Sequence, residues 1–376
     1  MNYLKFMPWL AAAAITLGSP SVSSEVIFEE DFDNQPDFTS TMHTTTQSQY
    51  KDAHVLPDNW DALHQGTQWS PEKGYPDNHA SLEILGSNSD KARGGAGKSM
   101  VNWRESYSMG WKNWASDSQL LKLLPQQYDQ LYVEFWIAFS SNWYGRQNAS
   151  GFSSKLFRVG SWTGQGDVFN GAGGELGPIF LWDYKRDNYG IRNVTAYRGN
   201  PEEGNYFMNK SAPEFPRFVS KNFGSHTLGE GMDDTDPLVL DQIMGGYLKD
   251  ISSSVVIGHD QLFGAGQHWT KMGFYVKLNS APNMADGQLM IFVNGQRVLS
   301  LEAIPWIKGT EETKMRGWNY FAIGGNDYLQ PYPNEQRFED WYAIDDVVVR
   351  NDIPSHLLSP SPSKEAPSPP TEISVD

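Results

Sequence analysis

The sequence contains no cysteine, so no disulfide braces the fold and stability must come from the size of the core. It is also poor in positive charge: 29 Lys and Arg stand against 45 Asp and Glu, a formal net charge of −16. That balance excludes the broad basic footprint of a nucleic-acid binder, and no nucleic-acid partner is expected. It does not exclude an anionic polymer, because a few cations gathered in one groove set the local potential. Beyond the N-terminus no apolar run reaches the about 20 residues of a membrane-spanning helix, so no membrane partner is expected. Helical periodicity is scarce too, and only "DSQLLKLLPQQ" (117–127) reads as a short helix. The histidines show no His-x-x-x-His spacing, which argues against a catalytic zinc site.

What is present is apolar and aromatic. Hydrophobic residues make up 39% of the 376, with 14 Trp, 17 Tyr and 19 Phe, enough for a large core. Surplus rings suit stacking on sugar faces, yet β-rich chains are aromatic-rich in any case, so composition leaves both uses open. Residues 1–24 have the layout of a secretory signal: Lys5, the apolar run "FMPWLAAAAITLG", then Val22 and Ser24 before a cleavage point at Glu25. A secreted or periplasmic protein is therefore expected. Residues 25–355 read as one domain. The Pro/Ser-rich segment 356–376, "SPSPSKEAPSPPTEISVD" from Ser359 onward, reads as a disordered tail. A monomer is expected.

Strand signals dominate the domain: 25–33, 130–140, 154–161, 178–184, 191–198, 268–279, 288–300, 318–325 and 341–350. Several alternate apolar with polar residues, and Asp286-Gly287 and Asn294-Gly295 mark turns between them. Residues 34–118 and 199–250 read as long aromatic-rich loops, the usual place for binding on a rigid β scaffold. These signals together predict a two-sheet antiparallel sandwich.

The strand residues also carry a resemblance. "EVIFEEDFD" resembles the first strand of concanavalin A-like jelly rolls. "HWTKMGFYVKLNS", "DGQLMIFVNGQRV" and "WYAIDDVVV" are similar to their C-terminal strands, above all in jelly-roll polysaccharide lyases. The resemblance covers 25–33 and 130–350 and leaves 34–118 unmatched. It implies an all-β fold, a concanavalin A-like β-jelly-roll sandwich of two antiparallel sheets with long loops. Lectins, glycoside hydrolases and lyases share that sandwich, so the chemistry has to come from the residues.

A retaining glycosidase needs two carboxylates at close range. Glu29, Asp31 and Asp33 share a strand face but sit at the mature N-terminus, and the acids at 339–340 and 345–346 lack the spacing. A lyase that cleaves a uronate polymer by β-elimination needs other groups. It must neutralise the sugar carboxylate, remove the C5 proton and protonate O4. In "HWTKMGFYVKLN", Met272, Phe274, Val276 and Leu278 fall on one face, leaving Tyr275, Lys277 and Asn279 together on the other. Resemblance to the lyases implies a Tyr on this strand as proton donor, hence Tyr275, and a base on a central strand, hence Lys155. Alternation puts Lys155 and Arg158 on opposite faces of "SSKLFRVGSW". Arg158, Arg192 and Arg198 supply guanidinium forks for carboxylate or sulfate, and Lys277, Asn279 and His268 complete the expected substrate contacts.

The same resemblance implies a structural Ca²⁺ between the first and last strands, with Asp31 and Asp345 as the matching ligands, and no organic cofactor. Trp103, Trp111 and Trp114, with Arg104 and Lys112, read as an aromatic and basic loop that suits an anionic polysaccharide or pins itself as a satellite cluster. The expected activity is that of a secreted lyase on an acidic, uronate-containing polysaccharide. Resemblance to ulvan-degrading lyases ranks ulvan ahead of alginate or glucuronan, and the Gln-Ile-His motif of alginate lyases is missing. A non-catalytic glycan-binding module and a glycoside hydrolase of the same fold are the alternatives.

Overall fold

Period-two alternation carries most of the chain into strands. The computed structural model describes residues 24–42, 55–65, 79–105, 118–143, 152–162, 164, 168–169, 176–187, 190–198, 226–228, 263, 266–282, 284, 286–304, 306–307, 317–325, 327–328 and 339–358. The first strands are β1 (Val26–Glu30), β2 (Phe38–Thr39), β3 (Ala62–Gln65), β4 (Leu82–Ile84), β5 (Met100–Glu105) and β6 (Ser118–Tyr128). Then follow β7 (Gln130–Phe139), β8 (Phe152–Trp162), β9 (Leu176–Asp187), β10 (Gly190–Arg198), β11 (His226–Leu228) and β12 (Thr270–Lys277). The last are β13 (Gly287–Val293), β14 (Gln296–Ile304), β15 (Trp318–Gly325), β16 (Asp327–Tyr328) and β17 (Glu339–Arg350), closed by a single turn of helix, α1 (Ser355–Leu358).

These strands form the expected all-β jelly-roll sandwich. One sheet has nine strands in the order β14-β13-β12-β7-β17-β5-β4-β2, with β1 beside β17. The other has eight in the order β11-β10-β9-β8-β15-β6-β3, with β16 beside β8. All pairings are antiparallel. The inner faces meet in a ring-dense core. Phe274 of β12 stacks on Phe157 of β8 at 4.7 Å and lies 5.3 Å from Trp182 of β9, so one aromatic joins both sheets. Between β13 and β14, Asn294 and Gly295 both take positive φ, 50° and 79°, the two-residue hairpin geometry their sequence predicts.

Residues 117–127 are not a helix. From Ser118 they form β6, because the Leu run is needed on both faces: Leu120 and Leu124 enter the core between the sheets, while Leu121 and Leu123 pack on the outer side. A strand covered on both faces reads as continuous apolar sequence and mimics a helix. The reading of 34–118 as loop also needs correction, since β2, β4 and β5 extend the nine-stranded sheet and β3 the eight-stranded one. Trp103 and Arg104 lie on β5, not in a loop. Arg104 is wholly buried in a two-point ion pair with Asp340 of β17, at 2.9 Å (Nε to Oδ1) and 2.7 Å (Nη2 to Oδ2). Its guanidinium lies over Trp143, 3.4 Å from the ring centroid. Trp111, Lys112 and Trp114 lie outside the described residues.

Candidate functional site

The outer face of the eight-stranded sheet gathers the cations that the sequence points to. Strand β8 carries a bulge between Lys155 and Phe157. Leu156 and Phe157 both enter the core as a result, and alternation is reset. Lys155 stands opposite Asp183 and Arg158 opposite Leu181, positions of like parity on β9. Lys155 and Arg158 therefore share one face, against the alternation of the bare sequence. Gly325 makes the approach of β15 possible, since a Cβ there would collide with the Lys155 carbonyl.

Register extends this face across neighbouring strands. Arg158 occupies a row with Ala62, Leu121, Ala322, Leu181 and Ala196. Arg198 pairs with Ile179 one row away, and Arg192 pairs with Lys185, which pairs with Ser153. Tyr328 of β16 stands opposite Ser153, two residues from Lys155.

Arg158 is the unusual member. It is 7% exposed and stands in the row of Leu121, Ala322 and Leu181, members of an apolar cluster on this outer face. Its Nη1 donates one long hydrogen bond, 3.4 Å, to the Phe169 carbonyl, and no carboxylate partners it among the described residues. A buried guanidinium has five N–H donors and a full charge, and both call for an anion.

Tyr275 is elsewhere. It lies on the nine-stranded sheet, turned away from the other sheet, because its neighbour Phe274 fills the core between them. Tyr132, Met290, Phe292 and Ile353 enclose it, with Leu357 of α1 packed alongside, and only 4% of it is exposed. Its hydroxyl donates to Gln130 Oε1 at 3.0 Å, and burial, with Asp352 adding to it, pushes the phenol above its ordinary range. Tyr275 and Lys155 thus lie on opposite outer faces and share no groove. Tyr275→Phe is expected to retain lyase activity within about twofold, since a packing Tyr that loses one hydrogen bond shifts stability by only ~1 kcal/mol. Initial rates on the polymer check this.

The rest of the "YVKLN" group divides in the same way. Asn279 is a loop clamp: its Nδ2 donates to the carbonyls of Ala281 (2.6 Å) and Ile307 (2.8 Å), and its Oδ1 accepts the Ile307 N–H (2.8 Å). With both donors used inside the protein, it is not available to a sugar. Lys277 is exposed at the end of β12, and exposed His268 precedes that strand. Both belong to the nine-stranded sheet, away from Lys155.

The acids at the first and last strands are brought together by the pairing of β1 with β17. Glu30 registers with Val347, which brings Asp31 near the β17 bulge at Asp345 and Asp346. Asp31 lines an open cleft of about 530 Å³ with Glu29, Glu30, Asp58 and Asp346. Asp345 is buried, and its two oxygens accept the N–H groups of Arg93 and Asp346, each at 2.9 Å. A calcium ion wants six to eight oxygens around one point. Among the described residues no three acidic or His side chains converge in that way, so a calcium ion held by Asp31 and Asp345 would take the rest of its oxygens from backbone carbonyls and water.

Burial, reinforced by Asp346 and Asp33 and opposed by the two N–H donors, pushes the Asp345 carboxyl up to about 7 from 3.8. The folded state favours the protonated form, so this contribution to stability is full below about pH 4 and is lost as pH rises through 7. A carboxyl ¹³C titration is expected to give Asp345 a midpoint near pH 7 without Ca²⁺. A midpoint near 4 contradicts the burial argument, and a drop on adding Ca²⁺ identifies Asp345 as a cation ligand.

Fold and register define a β-jelly-roll sandwich of two antiparallel sheets, with Lys155 and Arg158 on one outer face. No family model matches the sequence, and no curated protein matches it. The chain is similar to solved structures of lyases. One is the alginate lyase Aly36B, solved as a mutant with alginate tetrasaccharide (14% identity over 74% of this chain and 85% of that one, TM-score 0.41). Another is the endo-β-1,4-glucuronan lyase of the fungus Trichoderma reesei (12%, 81% and 95%, 0.44). A third is the PL-14 alginate lyase of Aplysia kurodai (10%, 72% and 86%, 0.39).

Sequence reasoning missed two features of the face. The bulge that turns Lys155 toward the side of Arg158 leaves no mark in "SSKLFRVGSW", although Gly324-Gly325 on the neighbouring strand signals a close backbone approach. Tyr328 lies beyond the strand pattern at 318–325 and reaches β8 only through the two-residue strand β16.

Proposed function

We propose that the protein is a polysaccharide lyase that cleaves an acidic, uronate-containing glycan by β-elimination on the outer face of the eight-stranded sheet. The observation that carries this reading is Arg158, a buried guanidinium that meets no carboxylate among the described residues, sharing its face with Lys155. In this mechanism Arg158 pairs with the uronate carboxylate and spreads its charge, which acidifies the C5 proton. Lys155, with its amine deprotonated, takes that proton; the C5–H pair forms the C4–C5 double bond, and the C4–O4 bond breaks. A proton delivered to O4 completes the step. Tyr328, which register sets beside Ser153 and two residues from Lys155, replaces Tyr275 as the tyrosine assigned to that role. Arg192 and Arg198, whose rows on β10 flank those of Lys155 and Arg158, are assigned to acidic groups of the chain on either side.

Ulvan remains the first substrate to try, ahead of alginate and glucuronan, on the strength of the strand resemblance. The protein is proposed to act as an exported monomer. Incubation with each polymer, followed by ultraviolet absorbance of the unsaturated uronate, tests the reaction class. Lys155→Ala is expected to lower the rate by about 10²–10⁴-fold, the usual contribution of a general base, with an unchanged melting curve. A rate within twofold of the wild type removes Lys155 from the mechanism.

A further inference from the structure

On the nine-stranded sheet, the outer face away from Lys155 carries a second arrangement that the proposed reaction does not use. Its floor is made of small residues, Ala138 of β7 opposite Ala343 of β17, both buried. Three indoles cluster around this floor, with Trp103 covered by His79 at 3.6 Å and Lys91 lying over the rings of Trp103 and Trp341. Trp103 and Trp341 register opposite each other with centroids 6.5 Å apart at 67°, and Trp269 packs against the same cluster. The segment after β4 forms the facing wall and turns at Gly94 and Gly95, whose φ values of 90° and 75° are left-handed. Between the walls lies a cleft of about 230 Å³ lined by Trp269, Trp341, Ala138, Asp90, Lys91 and Gln267. Gln267 takes φ 65°, a conformation uncommon in a side chain-bearing residue, and its N–H bonds the Phe139 carbonyl at 2.7 Å, which fixes it at the cleft.

The volume falls below the about 300–1,000 Å³ of pockets for drug-sized ligands and suits a single ring. The half-buried indole of Trp269 takes the C–H face of such a ring, while an amide, a carboxylate and an ammonium at the rim match hydroxyl groups. The charges decide which ring. Lys91 pairs with Asp90 at 2.9 Å, Arg93 pairs with Asp346, and Lys271 pairs with Glu134 at 2.8 Å. Lys91, the cation that lines the cleft among the described residues, is already compensated, as are Arg93 and Lys271 nearby on the same sheet, so a carboxylate or sulfate gains little by entering.

We infer that this cleft is a non-catalytic subsite for one uncharged pyranose ring of a polysaccharide, on the face of the sandwich opposite the proposed reaction. Its role is to hold glycan by stacking, independent of the acidic groups that the other sheet would bind. Native affinity electrophoresis of the full chain in gels containing galactomannan, arabinoxylan or a mixed-linkage β-glucan tests it. The wild type is expected to be retarded in at least one neutral gel. Trp269→Ala should weaken that retardation by about tenfold or more, the effect of losing a stacking anchor. Gln267→Ala, which leaves the indoles in place, should weaken it as well, and both variants should keep the wild-type melting temperature within a few degrees. Lys155→Ala should migrate like the wild type, so retardation without any lyase activity would preserve this site and sink the reaction instead. No retardation in any neutral gel, or retardation unchanged in a folded Trp269→Ala, overturns the inference.

Discussion

Arg158→Met is expected to make the protein more stable and nearly inactive. In the wild type Arg158 is 7% exposed beside Leu181 and Ala322, and among the described residues its guanidinium makes one 3.4 Å hydrogen bond and meets no carboxylate, so its desolvation is poorly compensated there. A methionine of similar length fills the same space without the charge, and unfolding free energy should rise on the order of 1 kcal/mol or more. The uronate carboxylate would meet an apolar surface instead of a planar donor fork. Removing one side of a buried charge pair costs about 2–5 kcal/mol, so kcat/KM should fall by ~10²-fold or more. Arg158→Lys should recover little of this, because an ammonium cannot reproduce the two-point geometry. A variant that loses stability along with activity would instead mark Arg158 as a structural residue, and urea unfolding beside initial rates separates the two.

The opposite behaviour is expected of the other buried arginine. Arg104 and Asp340 are fully enclosed and doubly hydrogen-bonded, with Trp143 over the guanidinium and its carbonyl accepting a further 3.0 Å bond. Asp340→Ala strands the cation inside the sandwich and should cost about 3–5 kcal/mol. Replacing both partners with apolar residues of similar volume, as in Arg104→Met with Asp340→Leu, should return most of that loss, since the pair is costly to break yet replaceable as a unit. Urea midpoints for Arg104→Met, Asp340→Leu and the double variant give the coupling directly. Additive losses would mean that the two side chains act independently.

These two arginines also show how far the sequence could be read. Strand after strand was legible because alternation and turn residues are local: Asn294-Gly295 joins β13 to β14 where it should, and Met272, Phe274 and Val276 point into the core. The face of Tyr275 was legible as well, but not what covers it. Ile353 and Leu357 fold back over it from the end of the chain, and no local pattern encodes that contact. Arg104 looked like part of a basic loop because its partner lies 236 positions away in sequence. Lys155 and Arg158 looked divided because one bulged residue reverses every face before it. Local rules recover the strands, while burial, bulges and distant partners decide which polar groups meet.

The most direct test of the account is the product formed from a uronate polymer by wild-type protein and by Arg158→Met. The wild type should raise the ultraviolet absorbance of the conjugated uronate in step with new chain ends, and the variant should raise it at least about a hundredfold more slowly. New reducing ends without that absorbance, or an undiminished rate in Arg158→Met, would contradict elimination on this face.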